Sequence, residues 1–210
     1  MQRSRVGRGG WTLIELLVVI AMIGILAGLL IPSASAIYER ARKAQAKNDL
    51  TQIAAAVNAF YTDYGQYPTA PGPNVIYGPE SGTASAVLFN ELQACHVVNG
   101  VLTPSCCSAA DTLNTRQISY ISPPCWGAAT ARSGIGTNGQ YYDPWGTPYN
   151  IEINAAYNNQ IANPYPDTAA GAPFLSFGVI GWSYGKDQTK GTKSPASPNY
   201  GASDDVISWQ

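Results

Sequence analysis

The sequence predicts an α+β fold: a long N-terminal helix, half apolar and half amphipathic, packed on a small antiparallel sheet in a loop-rich head. Three observations predict it. Residues 10–31 form one apolar run with a single charge, Glu15. Leu50, Ile53, Ala54, Val57, Phe60, Tyr61 and Tyr64 recur at three- and four-residue spacing, which sets one apolar face on a helix. Tyr149, Ile151 and Ile153 alternate with Asn150, Glu152 and Asn154, the period of a strand with one face toward solvent.

The apolar run is long enough to cross a bilayer, which takes about 20 residues as a helix. A carboxylate at the bilayer centre costs about 2.5–3.5 kcal/mol, so Glu15 calls for a partner. An α-amino group released by cutting the chain just upstream would serve. Arg3, Arg5 and Arg8 place the leader on the cytoplasmic side and the bulk of the chain outside. Gly24 and Gly28 form a small-xxx-small pair that admits a second helix, or simply reflect membrane-helix composition. Pro32 is expected to kink or loosen the helix, because it lacks an amide proton. Glu39, Arg40, Arg42, Lys43, Lys47 and Asp49 then make a solvated stretch before the amphipathic part, and Gly65 and Pro68 end the helix. From Thr12 to Tyr64 it would measure about 80 Å.

The layout read from these signals has five parts. Residues 1–10 are a basic leader, 11–31 a membrane or filament-core helix, and 32–64 an amphipathic helix continuing into the head. Residues 65–140 are irregular and cysteine-bearing, and 141–210 carry the sheet and a C-terminal loop. Within the irregular region Val87–Leu92 reads as a short helix or strand and Gln117–Ile121 as a short strand. Phe174–Ile180 and Val206–Trp209 are the later strand candidates.

Composition narrows the function. The chain has 210 residues and a formal net charge of −1. Loss of Arg3, Arg5 and Arg8 would take the charge to about −4, and the body of the chain carries no basic patch, so a nucleic-acid partner is not expected. Cys95, Cys106, Cys107 and Cys125 all fall on the outer side, where disulfides form. Sequence does not rank the three pairings. Cys106 and Cys107 are adjacent and ill placed to bridge each other, which favours each reaching Cys95 or Cys125. Zinc held by these cysteines with His96 fits no C-x-x-C spacing. A Cys95–His96 nucleophile pair would join neighbours in sequence where catalysis needs neighbours in space.

The leader arginines, Gly9-Gly10 and Trp11-Thr12-Leu13-Ile14-Glu15 resemble the start of type IV pilins and type II secretion pseudopilins. The resemblance implies cleavage after Gly10 by a prepilin peptidase, methylation of the new terminus at Trp11, and pairing of Glu15 with the terminus of a neighbouring subunit. Tryptophan stands at Trp11 where the family has phenylalanine. Two other readings exist: a secretory signal peptide cut near Ala34-Ser35-Ala36, and a plain membrane anchor. The first requires an apolar core half this long, and the second leaves Glu15 unexplained.

Asp143-Pro144-Trp145-Gly146-Thr147-Pro148-Tyr149 resembles a signature of the major pseudopilin, as do Ser183-Tyr184-Gly185-Lys186-Asp187 and Asp205-Val206-Ile207-Ser208-Trp209. There the resemblance implies a calcium loop with Asp187 and Asp205 as ligands and the Tyr184 carbonyl completing the shell. Gln188 stands where the family has glycine and Ser203 where it has aspartate, with Asp204 between. Lys186, Lys190 and Lys193 add positive charge. The alternative is a solvated acidic turn.

The expected function is that of a non-enzymatic filament subunit, major-pseudopilin-like, polymerising through Val18–Ile31. Its partners would be copies of itself, the prepilin peptidase, an inner-membrane assembly platform and minor pilins or pseudopilins. It would sit in the bacterial inner membrane with its head outside, then in a periplasmic pseudopilus or an extracellular pilus. A surface pilin is the alternative, and a membrane-tethered binding or enzymatic domain the remote one.

Overall fold

The computed structural model describes residues 10–127, 132–191 and 199–210, with the side chains of residues 29–34 outside the description. The leader arginines, Gly9, the side chains of Leu29 to Ala34 (Pro32 among them) and Lys193 therefore lie outside the described residues. The element order is α1 (Leu13–Tyr64), β1 (Val75–Tyr77), α2 (Ala86–Leu92), β2 (His96–Val98), β3 (Val101–Thr103), β4 (Gly134–Ile135), β5 (Tyr141–Tyr142), β6 (Asn150–Ile153), β7 (Ile161–Ala162), β8 (Phe174–Leu175), β9 (Val179–Ser183) and β10 (Val206–Ile207). A 3₁₀ turn covers Thr168–Ala170. The fold is α+β with small antiparallel sheets. Two compact units divide the chain, Met1–Ala41 and Arg42–Gln210, and α1 contributes to both.

In the first unit every described residue from Trp11 to Gly28 is exposed. Among the described residues no helix is long and apolar enough to cross a membrane.

In the second unit the main sheet has the order β1-β6-β9-β10, with every pair antiparallel. Leu50, Ile53, Val57 and Phe60 of α1 pack with Tyr77, Ile151, Ile153 and Val179 on one face. Gly181 faces them because a Cβ there would stand 3.0 Å from Leu50 Cδ2. Fully burying such a side chain stabilises the fold by about 1.5–3 kcal/mol.

The opposite face is not solvated, contrary to what the alternation of β6 predicts. Ile180 and Trp182 of β9 pack there with Ile161, Tyr165, Leu175 and Ile207 in a second core. Asn150, Glu152 and Asn154 are accordingly buried. The span Phe174–Ile180 is also not one strand. β8 pairs with β7, and β9 starts only after Gly178, where a Cβ would collide with the Tyr67 hydroxyl. Of Val206–Trp209 only Val206 and Ile207 pair.

The cysteine-bearing region is held by two kinds of link. Disulfides join Cys95 to Cys107 and Cys106 to Cys125, with Cα separations of 5.8 and 5.5 Å. Each adjacent cysteine thus takes a different distant partner, and none of the four remains for zinc. His96 Nδ1 lies 2.7 Å from the Ala94 carbonyl.

The second link is Glu91 of α2, a buried carboxylate. Its Oε1 accepts from the Thr112 N–H and hydroxyl, both at 2.8 Å, and its Oε2 from the N–H groups of Leu113 (2.8 Å) and Asn114 (2.9 Å). Residues 117–121 form no strand. Gln117 has a positive φ of 53°, and the Tyr120 and Ile121 amides donate to the Leu92 carbonyl instead. The hairpin of this region is β2–β3, turning on Asn99-Gly100, both at positive φ.

Candidate functional site

The site residues expected from sequence fall into two sets. At the start of α1, Glu15 Oε2 accepts from the Thr12 N–H and hydroxyl, both at 2.8 Å, while the Glu15 N–H donates to Thr12 Oγ1 at 3.3 Å. This is a reciprocal capping box, which satisfies amides that the first turn leaves without helical partners. Thr12 is a functional residue beyond those expected from the family motif, and a threonine three residues before a glutamate is its signal in the sequence. Gly10 and Trp11 are exposed beside it. A groove of about 420 Å³ runs along Trp11, Ile14, Glu15, Val18, Val19 and Met22.

The second set is built around the motif at Asp143 and the turn after β9. Asp143 is fully buried. Its Oδ1 accepts from the N–H groups of Trp145 (2.9 Å), Gly146 (2.8 Å) and Thr147 (2.9 Å), and Ser183 Oγ donates to its Oδ2 at 2.6 Å. Burial nevertheless pushes this carboxyl above its usual range. Through Ser183 the motif reaches the loop that starts at Tyr184, and Gln188 Nε2 donates to the Trp145 carbonyl at 3.2 Å.

In that loop Asp187, Asp204 and Asp205 each bring a carboxylate oxygen within 4.8 Å of the others. Asp204 Oδ2 accepts from the N–H groups of Lys186 (2.6 Å) and Asp187 (3.1 Å). Asp205 Oδ2 accepts from the Tyr165 hydroxyl (2.6 Å) and the Gly191 N–H (2.7 Å). Asp205 Oδ1 is buried and has no partner among the described residues. Burial first, then the charges of Asp204 and Asp187, push the Asp205 carboxyl up to about 6, against the hydrogen bonds from Tyr165 and Gly191.

Three clustered carboxylates with one buried oxygen unsatisfied suit a hard, oxygen-seeking cation such as calcium. Gln188, where a glycine was expected, takes the left-handed conformation at φ 58°. Ser203 is not in the cluster; its hydroxyl donates to the Tyr200 carbonyl, and Asp204 supplies the third carboxylate. Gly185 is required, since at φ 68° a Cβ would stand 2.5 Å from the Asp204 carbonyl oxygen.

No family model matches the chain, and no solved structure matches it. Curated relatives do. Type II secretion system core protein G of Pseudomonas aeruginosa is 39% identical over 69 residues, 33% of this chain and 47% of that protein. The type IV major pilin protein PilA of Myxococcus xanthus is 34% identical over 73 residues, 35% of this chain and 33% of that one. A fimbrial protein of Neisseria meningitidis serogroup B is 33% identical over 100 residues, 48% of this chain and 56% of that protein. The matches to core protein G span about half of those relatives' length. This chain is thus similar, over a third to a half of its length, to type II secretion core protein G from several species and to type IV pilins.

Proposed function

We propose that the chain is a structural subunit of a type IV filament, a major-pseudopilin-like protein of a type II secretion system that polymerises through its N-terminal helix. One observation carries the reading: an apolar helix exposed all around from Trp11 to Gly28 and carrying a single carboxylate, Glu15. Such a surface needs lipid or other helices around it. Residues 11–31 supply the membrane span before assembly and the filament core after it.

Prepilin peptidase cuts after Gly10 and the new terminus is methylated at Trp11. Glu15 then exchanges its Thr12 partners for the amino terminus of a neighbouring subunit. The other partners are further copies, an inner-membrane assembly platform and minor pseudopilins. The head lies outside the cytoplasm, and the role is structural, not catalytic. Asp187, Asp204 and Asp205, with the Tyr184 carbonyl, would hold calcium, whose charge offsets three carboxylates and stiffens the loop. The disulfide-bonded region 93–125 favours a second reading, a surface pilus whose outer face this region would form.

Glu15→Ala and Thr12→Ala separate assembly from capping. Both remove the capping box, but only Glu15→Ala should leave subunits in the membrane without filaments. Filaments in Glu15→Ala, or their loss in both variants, would count against the reading. Mass spectrometry should find a methylated terminus at Trp11, confined to the envelope for a pseudopilus and present in sheared filaments for a pilus. For the metal, calcium should raise the melting temperature of the parent and not of Asp187→Ala.

A further inference from the structure

We infer that Glu80 is a positioning residue for the cation loop: it holds the ammonium of Lys190 so that this lysine of the loop does not become the cation of the Asp187–Asp204–Asp205 cluster. This rests on the calcium reading above. Glu80 Oε1 lies 2.6 Å from Lys190 Nζ, and the Tyr184 hydroxyl donates to its Oε2 at 2.6 Å. The two partners flank Asp187 in the chain. Tyr184 opens the loop, and Lys190 directly precedes Gly191, whose N–H donates to Asp205.

Lys190 Nζ also stands 5.6 Å from the centre of the Tyr165 ring, and the Tyr165 hydroxyl donates to Asp205. A full positive charge on a flexible four-carbon stem is therefore separated from Asp205 by the Tyr165 side chain. Glu80 can restrain it because Glu80 is itself fixed. Its N–H donates to Asn150 Oδ1 at 2.8 Å, and its turn is closed by the Gly78 N–H to the Thr83 carbonyl at 2.7 Å. At Gly78, φ is 118° and a Cβ would stand 2.5 Å from the Tyr149 carbonyl oxygen, so the turn is seated directly on the sheet.

The test is calcium titration by calorimetry on the full-length chain in detergent. Glu80→Gln keeps an acceptor for Tyr184 but frees Lys190, and should weaken calcium binding roughly tenfold, the scale of one uncompensated charge in a high-dielectric setting. Glu80→Gln with Lys190→Gln should recover affinity to within about threefold of the parent. Lys190→Gln alone should bind at least as tightly as the parent. A purely structural role for Glu80 does not produce that recovery. Unchanged binding in Glu80→Gln, a double variant as weak as the single, or weaker binding in Lys190→Gln overturns the inference. A parent that binds no calcium overturns the calcium reading, and this inference falls with it.

Discussion

Replacing Glu152 by glutamine should make the protein more stable at pH 8 and leave its stability at pH 4.5 unchanged. Glu152 lies on β6 opposite Ile180, facing the second core, and is 6% exposed. Burial pushes its carboxyl from 4.5 up to about 7, with the Glu80 charge raising it and Asn74 and Lys190 opposing. The folded state therefore holds this proton more tightly than the unfolded chain does. Stability from this group is complete below about pH 4.5 and is lost as pH rises through about 7.

At about 1.4 kcal/mol per pH unit the loss is at most about 3.5 kcal/mol, and solvent screening brings it to about 1–2 kcal/mol. Glutamine removes the titration. Its amide also supplies a donor near Asn74 Oδ1, which is buried without a partner among the described residues. Near-UV circular dichroism melts of the full-length chain in detergent, with a chelator present, should put the variant roughly 2–8 °C above the parent at pH 8. Asp205 contributes pH dependence of the same sign to both proteins, so the difference between them isolates Glu152. An equal or lower midpoint for the variant at pH 8 would refute the argument.

Three further outcomes are expected. Gly185→Ala puts a Cβ against the Asp204 backbone at φ 68°, and should cost about 1–3 kcal/mol while removing any calcium-induced rise in melting temperature. Asp143→Ala abandons three backbone amides and the Ser183 hydroxyl, and should cost about 3–5 kcal/mol by denaturant unfolding. Asp143→Asn keeps an oxygen for the amides and should cost less than half as much; equal losses would assign the effect to charge instead of geometry. Loops of 12 and 19 residues closed by the disulfides predict a loss of about 3 kcal/mol for Cys95→Ser with Cys107→Ser, and slightly more for Cys106→Ser with Cys125→Ser, checked by the same unfolding measurement.

The parts of this fold legible in sequence are those with a long period or a local turn code. The face from Leu50 to Tyr64 announces the head-packing half of α1, because seven apolar residues share one spacing. The Asn99-Gly100 hairpin carries an equally local code, with Val97, Val98, Val101 and Leu102 around a two-residue turn. The burial of Asn150 and Glu152 was not readable. The layer covering them comes from Ile161, Tyr165 and Leu175, short segments with no period of their own.

In the candidate metal loop Asp187 and Asp205 stand out by resemblance. Asp204 stands in the sequence only as the residue between Ser203 and Asp205; what brings it into the cluster is the turn at 185–187, whose Lys186 and Asp187 N–H groups donate to its carboxylate. Glu80 gave no signal at all, being 104 residues from Tyr184 and 110 from Lys190.

The carboxylate of Glu91 bears on how four thiols sort themselves. Neighbouring thiols at 106 and 107 are chemically alike, so oxidation alone has little basis for sending one to Cys125 and the other to Cys95. Glu91 grips Thr112, Leu113 and Asn114 by hydrogen bonds that need no oxidant, and the Asp111 N–H donates to the Cys95 carbonyl beside them. Those bonds hold residues 111–114, which follow the thiol pair, against α2 and Cys95 independently of any sulfur. If the carboxylate is the template and oxidation the latch, Glu91→Ala is expected to yield mixed pairings of the four cysteines on disulfide mapping of the reoxidised chain, where the parent yields only Cys95–Cys107 and Cys106–Cys125.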